Sequence, residues 1–320
     1  MAGTSYVLKR LGFAVLTLFV AVTINFVLFR ALPGSAVTDM SRVPNASPEL
    51  VQALNHQFGL DKSKFQQYVI YLGQLAHGNM GISYIDQRPV SSTLITALKN
   101  TLPMAIAGTA IAIVLGFTSG IVATWRRDTL VSYGTTFSAM LLYSFPTQWL
   151  GLMLILLFGA YLPSSGMRSD FILHATWWQS TQDYLRHLVL PTLCYALTLY
   201  GQYALVVRSA MLETMGEDYV LTARAKGLPM RRIIIRHVFR NAMLPVATLI
   251  ALSLGFIVAG AVLIETVFSW PGIGRMIYLA VLSRDYPLLQ GAFLVVTISV
   301  IFFNFVADLL YFKLDPRISE

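Results

Sequence analysis

The sequence predicts an all-α membrane protein with six transmembrane helices and an extended outer region between helices 1 and 2. Three observations lead there. Of the 320 residues 56% are hydrophobic and only 12% charged, whereas an ordinary soluble domain carries roughly 25% charged residues. Six apolar runs are long enough to cross a bilayer, which takes about 20 helical residues at 1.5 Å each for a core about 30 Å thick. Together the runs use nearly half the chain, so residues 1–320 read as a single transmembrane domain with no separate soluble catalytic domain of normal size.

The first run, Leu11–Phe29, follows Lys9-Arg10. It is longer than the 7–15 residues of a signal-peptide core, and no small-residue cleavage site follows before Arg30-Ala31-Leu32-Pro33, so it is expected to stay as an uncleaved span. Residues 32–100 form the outer region and carry helix signals of their own. Ser47 with Pro48 opens a helix that Gly59 closes, and Asp61 opens another in which Phe65, Tyr68, Val69 and Leu72 share a face before Gly73 and Gly78. These helices are expected on the outer membrane surface; the alternative is a solvated loop. The remaining runs are Leu102–Thr124, Phe137–Tyr161, Leu188–Met211, Met243–Val267 and Gln290–Tyr311. With both termini cytoplasmic, the shorter connections carry thirteen Lys and Arg, against ten spread over the longer outer ones, which is the positive-inside arrangement.

The connection at residues 212–242 stands apart, being strongly basic and built to end a short helix abruptly. Asp218 reads as an N-cap, Tyr219-Val220-Leu221-Thr222-Ala223-Arg224-Ala225-Lys226 contains no breaker, and Gly227 and Pro229 stop the helix. Arg224 and Lys226 fall in its last turn, where cations meet the negative end of the helix dipole. A helix of about eight residues is not stable alone in water. With Ala223 and Ala225 allowing another backbone close, it is expected to dock against something. After Pro229, Arg232, Arg236 and Arg240 form one stripe and Ile234, Ile235, Val238 and Phe239 gather opposite, with Arg231 and Ile233 breaking the pattern. One reading of this second half is an interfacial helix whose arginines meet anionic lipid headgroups; that leaves the first helix unexplained.

Several chemistries are excluded. The excess of 23 Lys plus Arg over 15 Asp plus Glu is what basic cytoplasmic loops give a membrane protein, so the bilayer is an expected partner and nucleic acid is not. Cys194 is the only cysteine, which rules out an internal disulfide or a thiolate cage. No G-x-x-x-x-G-K-[ST] loop occurs, so ATP as an energy source would have to be held by a partner. The histidines, His56, His77, His174, His187 and His237, show neither an i,i+4 pair nor a Cys or carboxylate partner at metal-ligand spacing, so no metal and no bound cofactor are expected. They sit in loops or at span edges, which argues against an intramembrane serine protease, and no catalytic residue is expected. Span middles carry no ionisable group: Asn25, Gln148, Gln202 and Asn304 are the deepest polar residues, while Glu265 and Asp308 lie near opposite ends. Such amides usually serve as interhelical hydrogen-bond partners. A gradient-driven secondary transporter or channel subunit, the main alternative, would show more intramembrane charge; a membrane scaffold that recruits a cytoplasmic protein is a second.

Asp218-Tyr219-Val220-x-Thr222-Ala223-Arg224-Ala225-Lys226-Gly227-Leu228, followed by His237-x-x-Arg240-Asn241-Ala242-x-x-Pro245, resembles the cytoplasmic loop of ABC-importer permeases of the dipeptide/oligopeptide/nickel group. Of the general signature E-A-A-x-x-x-G, Ala223 and Gly227 are kept, with Leu221 and Thr222 in place of the glutamate and first alanine, similar to the peptide-permease variant. Phe58-Gly59-Leu60-Asp61, Gln67-Tyr68 and Gly78-Asn79-Met80-Gly81-x-Ser83 resemble the outer region of the B-type subunit, with Asn79 and Met80 where Asp and Leu are more familiar. Leu162-Pro163-x-x-Gly166, Glu265-x-x-Phe268-x-x-Pro271-Gly272-x-Gly274 and Asp308-Leu309-Leu310-Tyr311-x-x-Leu314-Asp315-Pro316-Arg317 fit as well, so the resemblance covers nearly the whole chain.

The resemblance implies a type I ABC importer permease in the cytoplasmic membrane. Its implied partners are a homologous second permease subunit, two ATPase domains that bind ATP and Mg, and an extracytoplasmic solute-binding protein. Short peptides are the expected cargo; nickel chelates, glutathione-like compounds and oligosaccharides are alternatives. The ATPase-coupling residues would be Asp218, Tyr219, Thr222, Ala223, Arg224, Ala225, Lys226, Gly227 and Leu228, with contact centred on Tyr219, Ala223 and Leu228, and His237, Arg240, Asn241 and Pro245 in the second helix of the loop. Pro146, Gln148, Ser253 and Gly255 are expected along the pathway, and Glu265, Pro271 and Gly272 at an outer gate.

Overall fold

The computed structural model describes residues 2–31, 62–169, 176–257 and 262–314. The helix expected between Ser47 and Gly59, the Phe58–Asp61 match and the Asp315–Arg317 match lie outside these residues. Within them every regular element is a helix, apart from one isolated bridge between Ile82 and Pro89.

Helix α1 (Ala2–Ala31) contains the first expected span. α2 (Lys64–Ala76) starts later than Asp61 suggested, at a capping box in which Ser63 and Gln66 exchange side-chain to backbone hydrogen bonds. Its expected single apolar face is divided: Tyr68 and Tyr71 turn onto Phe26 of α1, with ring centroids 5.2 and 5.4 Å away, while Phe65 and Val69 stay exposed. α3 (Val90–Trp125) has 36 residues, so it is about 54 Å long and outreaches the hydrocarbon core.

The third expected span, Phe137–Tyr161, is not one straight helix. α4 (Leu130–Ser144) and α5 (Thr147–Phe158) meet at 107°. The cause is local: Pro146 disfavours helical backbone at Phe145, which is extended at ψ 129°, and Pro146 then becomes the cap of α5. The long α6 (Trp177–Met215) follows, then α7 (Asp218–Ala225), α8 (Met230–Arg232), a π-helical segment Ile233–Phe239 and α9 (Arg240–Phe256). The helix leading into the fifth span therefore starts at Met230 rather than Met243, and it bends by 50° near Pro245. α10 (Val262–Val267), α11 (Ile273–Ser283) and α12 (Tyr286–Leu314) complete the chain. Among the described residues four helices are long and apolar enough to cross a membrane, and the count is six when each of the two bent pairs is taken as one span.

α6 is the central helix, packed along α3 and against α4, α5 and α9. Lipid tails give helices no hydrophobic reason to associate, so close backbone packing has to do it. Gly108, Ala112, Gly116 and Gly120 recur every fourth residue along α3, and a Cβ on Gly116 would overlap that of Tyr203 on α6. Two large apolar cores result, with a smaller cluster around Ala139, Tyr200 and Ala204. The one on the side that the charge distribution assigns to the outside, called outer, gathers Leu94, Met104, Leu190, Cys194, Ile264, Phe268 and Ile273; the opposite one, called inner, gathers Val207, Met211, Val220, Ile233, Ile234 and Val238. α1 is joined to α12 by Asn25 Nδ2, which donates to the Gln290 carbonyl at 3.0 Å, and by an Arg10–Asp308 ion pair at 3.2 Å. The Asn25 bond is the interhelical role expected of an amide within a span, and the ion pair puts the start of α1 and the end of α12 on one side.

Candidate functional site

At the inner end, α7 is cut short by its own backbone. Leu228 N–H donates to the Ala223 carbonyl at 3.3 Å and Gly227 N–H to the Arg224 carbonyl at 2.9 Å, the two bonds of a Schellman stop. Gly227 sits at φ +73°, the left-handed backbone such a stop requires, and Pro229 prevents continuation. The N-cap is Glu217, without a side-chain cap bond, rather than Asp218. Asp218 occupies the first turn, where its charge meets the positive end of the helix dipole.

Two faces of α7 differ sharply. Val220 and Ala223 are buried in the inner core with Met211, Ile233, Ile234 and Val238, and Leu228 is half-buried beside them. Tyr219 and Leu221 are 41% and 53% exposed, and Thr222, Arg224, Ala225 and Lys226 share that outward side. Of the three residues expected at the centre of a docking contact, Tyr219 faces outward, Leu228 is at the margin and Ala223 is used by the chain's own core. Leu221, which the sequence reading did not select, is the larger exposed apolar group; its position between the two buried residues on an eight-residue helix was the available signal. Tyr219 Oη accepts a 2.9 Å hydrogen bond from Asn241 Nδ2, which also donates to the His237 carbonyl at 3.0 Å, tying α7 to the start of α9. Arg240 is exposed, His237 half-buried, and Pro245 lies inside α9 beside the 50° bend.

Between the two cores is a cavity of about 270 Å³ lined by Tyr195, Thr198, Leu199 and Gln202 of α6, Leu249, Leu252 and Ser253 of α9, and Ile264 of α10. It is uncharged, with hydroxyls and one amide on apolar walls. Ser253, expected along the pathway, lines this cavity. The other three expected pathway residues do not join it: Gly255 is buried against Val300 and Phe303 of α12, and Pro146 and Gln148 are exposed at the start of α5. Thr198 and Gln202 were missed as lining residues, although they stand one helical turn apart.

The outer end is a network around two buried carboxylates. Glu265 is fully buried. Thr101 Oγ1 donates to its Oε1 at 2.6 Å and the Arg275 N–H to its Oε2 at 3.0 Å, so the carboxylate closes the amino end of α11. Ile273 N–H donates to Thr101 Oγ1 at 2.9 Å. Trp270 Nε1 donates to the Asn100 carbonyl, and Asn100 Nδ2 to the Pro271 carbonyl, both at 2.8 Å. A Cβ on Gly272 would overlap the Glu265 carboxylate. Glu265, Pro271 and Gly272 thus stand together, with Asn100, Thr101, Trp270 and Arg275 added. At the other end of α11, Asp285 accepts from Ser83 Oγ, from the Tyr84 N–H at 3.3 Å and from the Leu288 N–H at 3.3 Å. Burial pushes the neighbouring Tyr84 phenol up to about 12, against the opposing influence of Arg30, so it stays neutral at physiological pH. Between α3 and α11 these anchors leave a cavity of about 740 Å³.

Among the described residues no group of three or more His, Cys, Asp and Glu is placed to hold a metal. One histidine does have a carboxylate neighbour: His187 Nδ1 lies 3.5 Å from Asp183 Oδ1, one helical turn away, but that carboxylate is already engaged by the Ser169 N–H and hydroxyl.

Residues 113–320 match the family described as binding-protein-dependent transport system inner membrane component, and residues 4–105 match its described N-terminal region. The chain is 38% identical over 332 residues to the di/tripeptide transport system permease protein DppB of Pseudomonas aeruginosa, covering 99% of each. It is 36% identical to the dipeptide transport system permease protein DppB of Escherichia coli K12 and 40% identical to a putative peptide permease protein of Brucella suis, with 98% of each chain covered in both cases. A solved structure of the MetNI methionine ABC transporter in inward-facing conformations shares the fold, with a TM-score of 0.55 at 16% identity over 69% of this chain and 96% of that one.

Proposed function

The chain belongs to the binding-protein-dependent transport system inner membrane components, the permeases of ABC importers, and on that premise we propose that it forms half of the path by which short peptides enter the cell. The other half comes from a homologous permease, the driving force from two ATPase domains that hold ATP and Mg, and delivery from an extracytoplasmic solute-binding protein. Both termini are cytoplasmic, and the chain carries out no covalent chemistry.

The observation that carries this reading is the divided α7. A helix too short to persist alone is held inward by two residues, Val220 and Ala223, and leaves Tyr219, Leu221, Thr222 and Ala225 exposed, with the Tyr219 hydroxyl tied to Asn241. An ATPase groove completes it. Closure of the ATPase pair on ATP then moves α7 as a rigid lever, and the inner core, in which Val220 and Ala223 touch residues of α6 and the π-helical segment, carries the displacement into α6 and α9. Those helices line the cavity that holds Thr198, Gln202 and Ser253, whose neutral hydrogen-bonding groups suit peptide amides. Affinity purification of the tagged chain from gently solubilised membranes tests the proposal. A second permease, an ATPase and a solute-binding protein are expected with it, together with peptide-stimulated ATP hydrolysis. Recovery of copies of this chain alone would shift the assignment to a gradient-driven transporter or channel.

A further inference from the structure

We propose that Arg231, Arg232, Arg236 and Arg240 form a binding site for anionic phospholipid headgroups, which anchors the segment between α7 and the fifth span to the bilayer surface. All four are exposed, on the side of the helix away from the buried Ile233, Ile234 and Val238, and none takes part in an ion pair among the described residues. Four cations without a carboxylate partner call for an anionic one.

The bend identifies which. The segment Met230–Met243 meets Pro245–Gly255 at 50°. With the latter along the membrane normal, each residue outward from Met243 gains only about 1 Å of height, since the 1.5 Å rise is multiplied by the cosine of the tilt. Arg240 then stands about 3 Å, Arg236 at most about 7 Å and Arg232 at most about 11 Å beyond the start of the apolar run, the π-helical turns between them rising less per residue, where the headgroup layer is roughly 5–7 Å deep on each side. An arginine stem spans the remaining gap and brings its guanidinium to the phosphates. Without the bend, Arg232 would stand up to about 16 Å out, farther beyond that layer. Exposed Ile235, 54% accessible among the arginines, suits the apolar side of the same boundary. The outward face of α7, by contrast, sets Tyr219, Leu221 and Ala225 among Arg224 and Lys226, a mixed surface that suits a protein groove better than a layer of phosphates. A planar guanidinium fork binds phosphate oxygens in pairs, so four of them would fix the pivot about which α7 moves.

The proposal rests on the membrane-permease reading but not on the cargo. The assembled complex in nanodiscs of mixed phosphatidylglycerol and phosphatidylcholine is analysed by native mass spectrometry for retained lipid, alongside peptide-stimulated ATP hydrolysis. Wild type is expected to retain phosphatidylglycerol preferentially, less so at high salt. R232Q/R236Q is expected to lower that preference about 30-fold, the equivalent of ~1 kcal/mol per arginine, and R232K/R236K to restore most of it. Unchanged retention in R232Q/R236Q would overturn the site. Loss of ATP hydrolysis in R232Q/R236Q that is equal in these nanodiscs and in nanodiscs of phosphatidylcholine alone, together with release of the ATPase, would assign the stripe to a protein contact and overturn it too. A wild-type complex with no peptide-stimulated hydrolysis would refute the importer reading, while the lipid count still decides the stripe.

Discussion

The two ends of the molecule use their polar groups in opposite ways. At the outer end Glu265 and Asp285 are buried and satisfied within the chain, the first by Thr101 and the α11 backbone, the second by Ser83 and the amides around it. At the inner end α7 buries two apolar residues and leaves Tyr219, Leu221 and the basic groups around them exposed. The outer end is complete by itself; the inner end is not. A buried carboxylate loses several kcal/mol when its partners go, so the outer network resists rearrangement and serves to hold α3, α10 and α11 as one block. The inner end, held by a small apolar core and by the hydrogen bond that Asn241 donates to Tyr219, is the part that a partner can move.

The sharpest way to break this contrast is at Gly272. A Cβ there overlaps the Glu265 carboxylate, so Gly272→Val should evict it, leave Thr101 and the α11 amides without their acceptor, and cost about 3–5 kcal/mol. Thermal unfolding of the purified protein is expected to show a fall of many degrees or loss of a monodisperse species; a wild-type midpoint would mean that the cage is not structural. Glu265→Gln keeps the shape and removes the charge. It should cost less, about 1–3 kcal/mol, and equality with Gly272→Val would show that the carboxylate's charge, rather than the filled space, holds the block.

Gly227 separates backbone from contact at the inner end. Nothing lies within 4 Å of a Cβ placed there, yet its φ is +73°. A side chain therefore meets no neighbour and still strains the left-handed backbone, by about 1–2 kcal/mol for Val and less for Asn, which visits that region more readily. Gly227→Val is expected to assemble into the complex and to lose transport and peptide-stimulated ATP hydrolysis, with Gly227→Asn keeping most of both. Wild-type transport in Gly227→Val would refute the lever.

How much of this was legible in the sequence follows the range of each interaction. The stop at Gly227 and Pro229 involves neighbours in the chain, and reading it needed only those residues. The six apolar runs were equally local, but the 107° break at Pro146 was hidden because apolar residues continue on both sides of it and mask the proline. Glu265 could be singled out but not its partner, since Thr101 lies 164 positions away. The glycine stripe on α3 had a visible four-residue period, whereas its meaning depended on Tyr203 and Val207 arriving opposite. Ala223 was read as an outward contact because a small residue on a short helix suits either face; its direction was decided by Met211, Ile233 and Ile234 on other elements. The π-helical turns at Ile233–Phe239 left no signal that propensity could detect.

The mildest change is the most discriminating for how α7 is held. Tyr219→Phe removes one hydroxyl, the acceptor of the Asn241 amide, from an exposed position, while Asn241 keeps its bond to the His237 carbonyl. Water can replace the lost partner, so stability should change by less than about 0.5 kcal/mol. The ring itself remains for an ATPase groove. If the lever angle is set by the Schellman stop and by the burial of Val220 and Ala223, peptide-stimulated ATP hydrolysis in reconstituted complex should stay within about twofold of wild type, an energy difference under about 0.5 kcal/mol. A tenfold loss with unchanged melting would place the coupling in the Tyr219–Asn241 link instead. The stroke would then pass from α7 directly to the start of α9, and the inner core would serve only to keep the short helix folded.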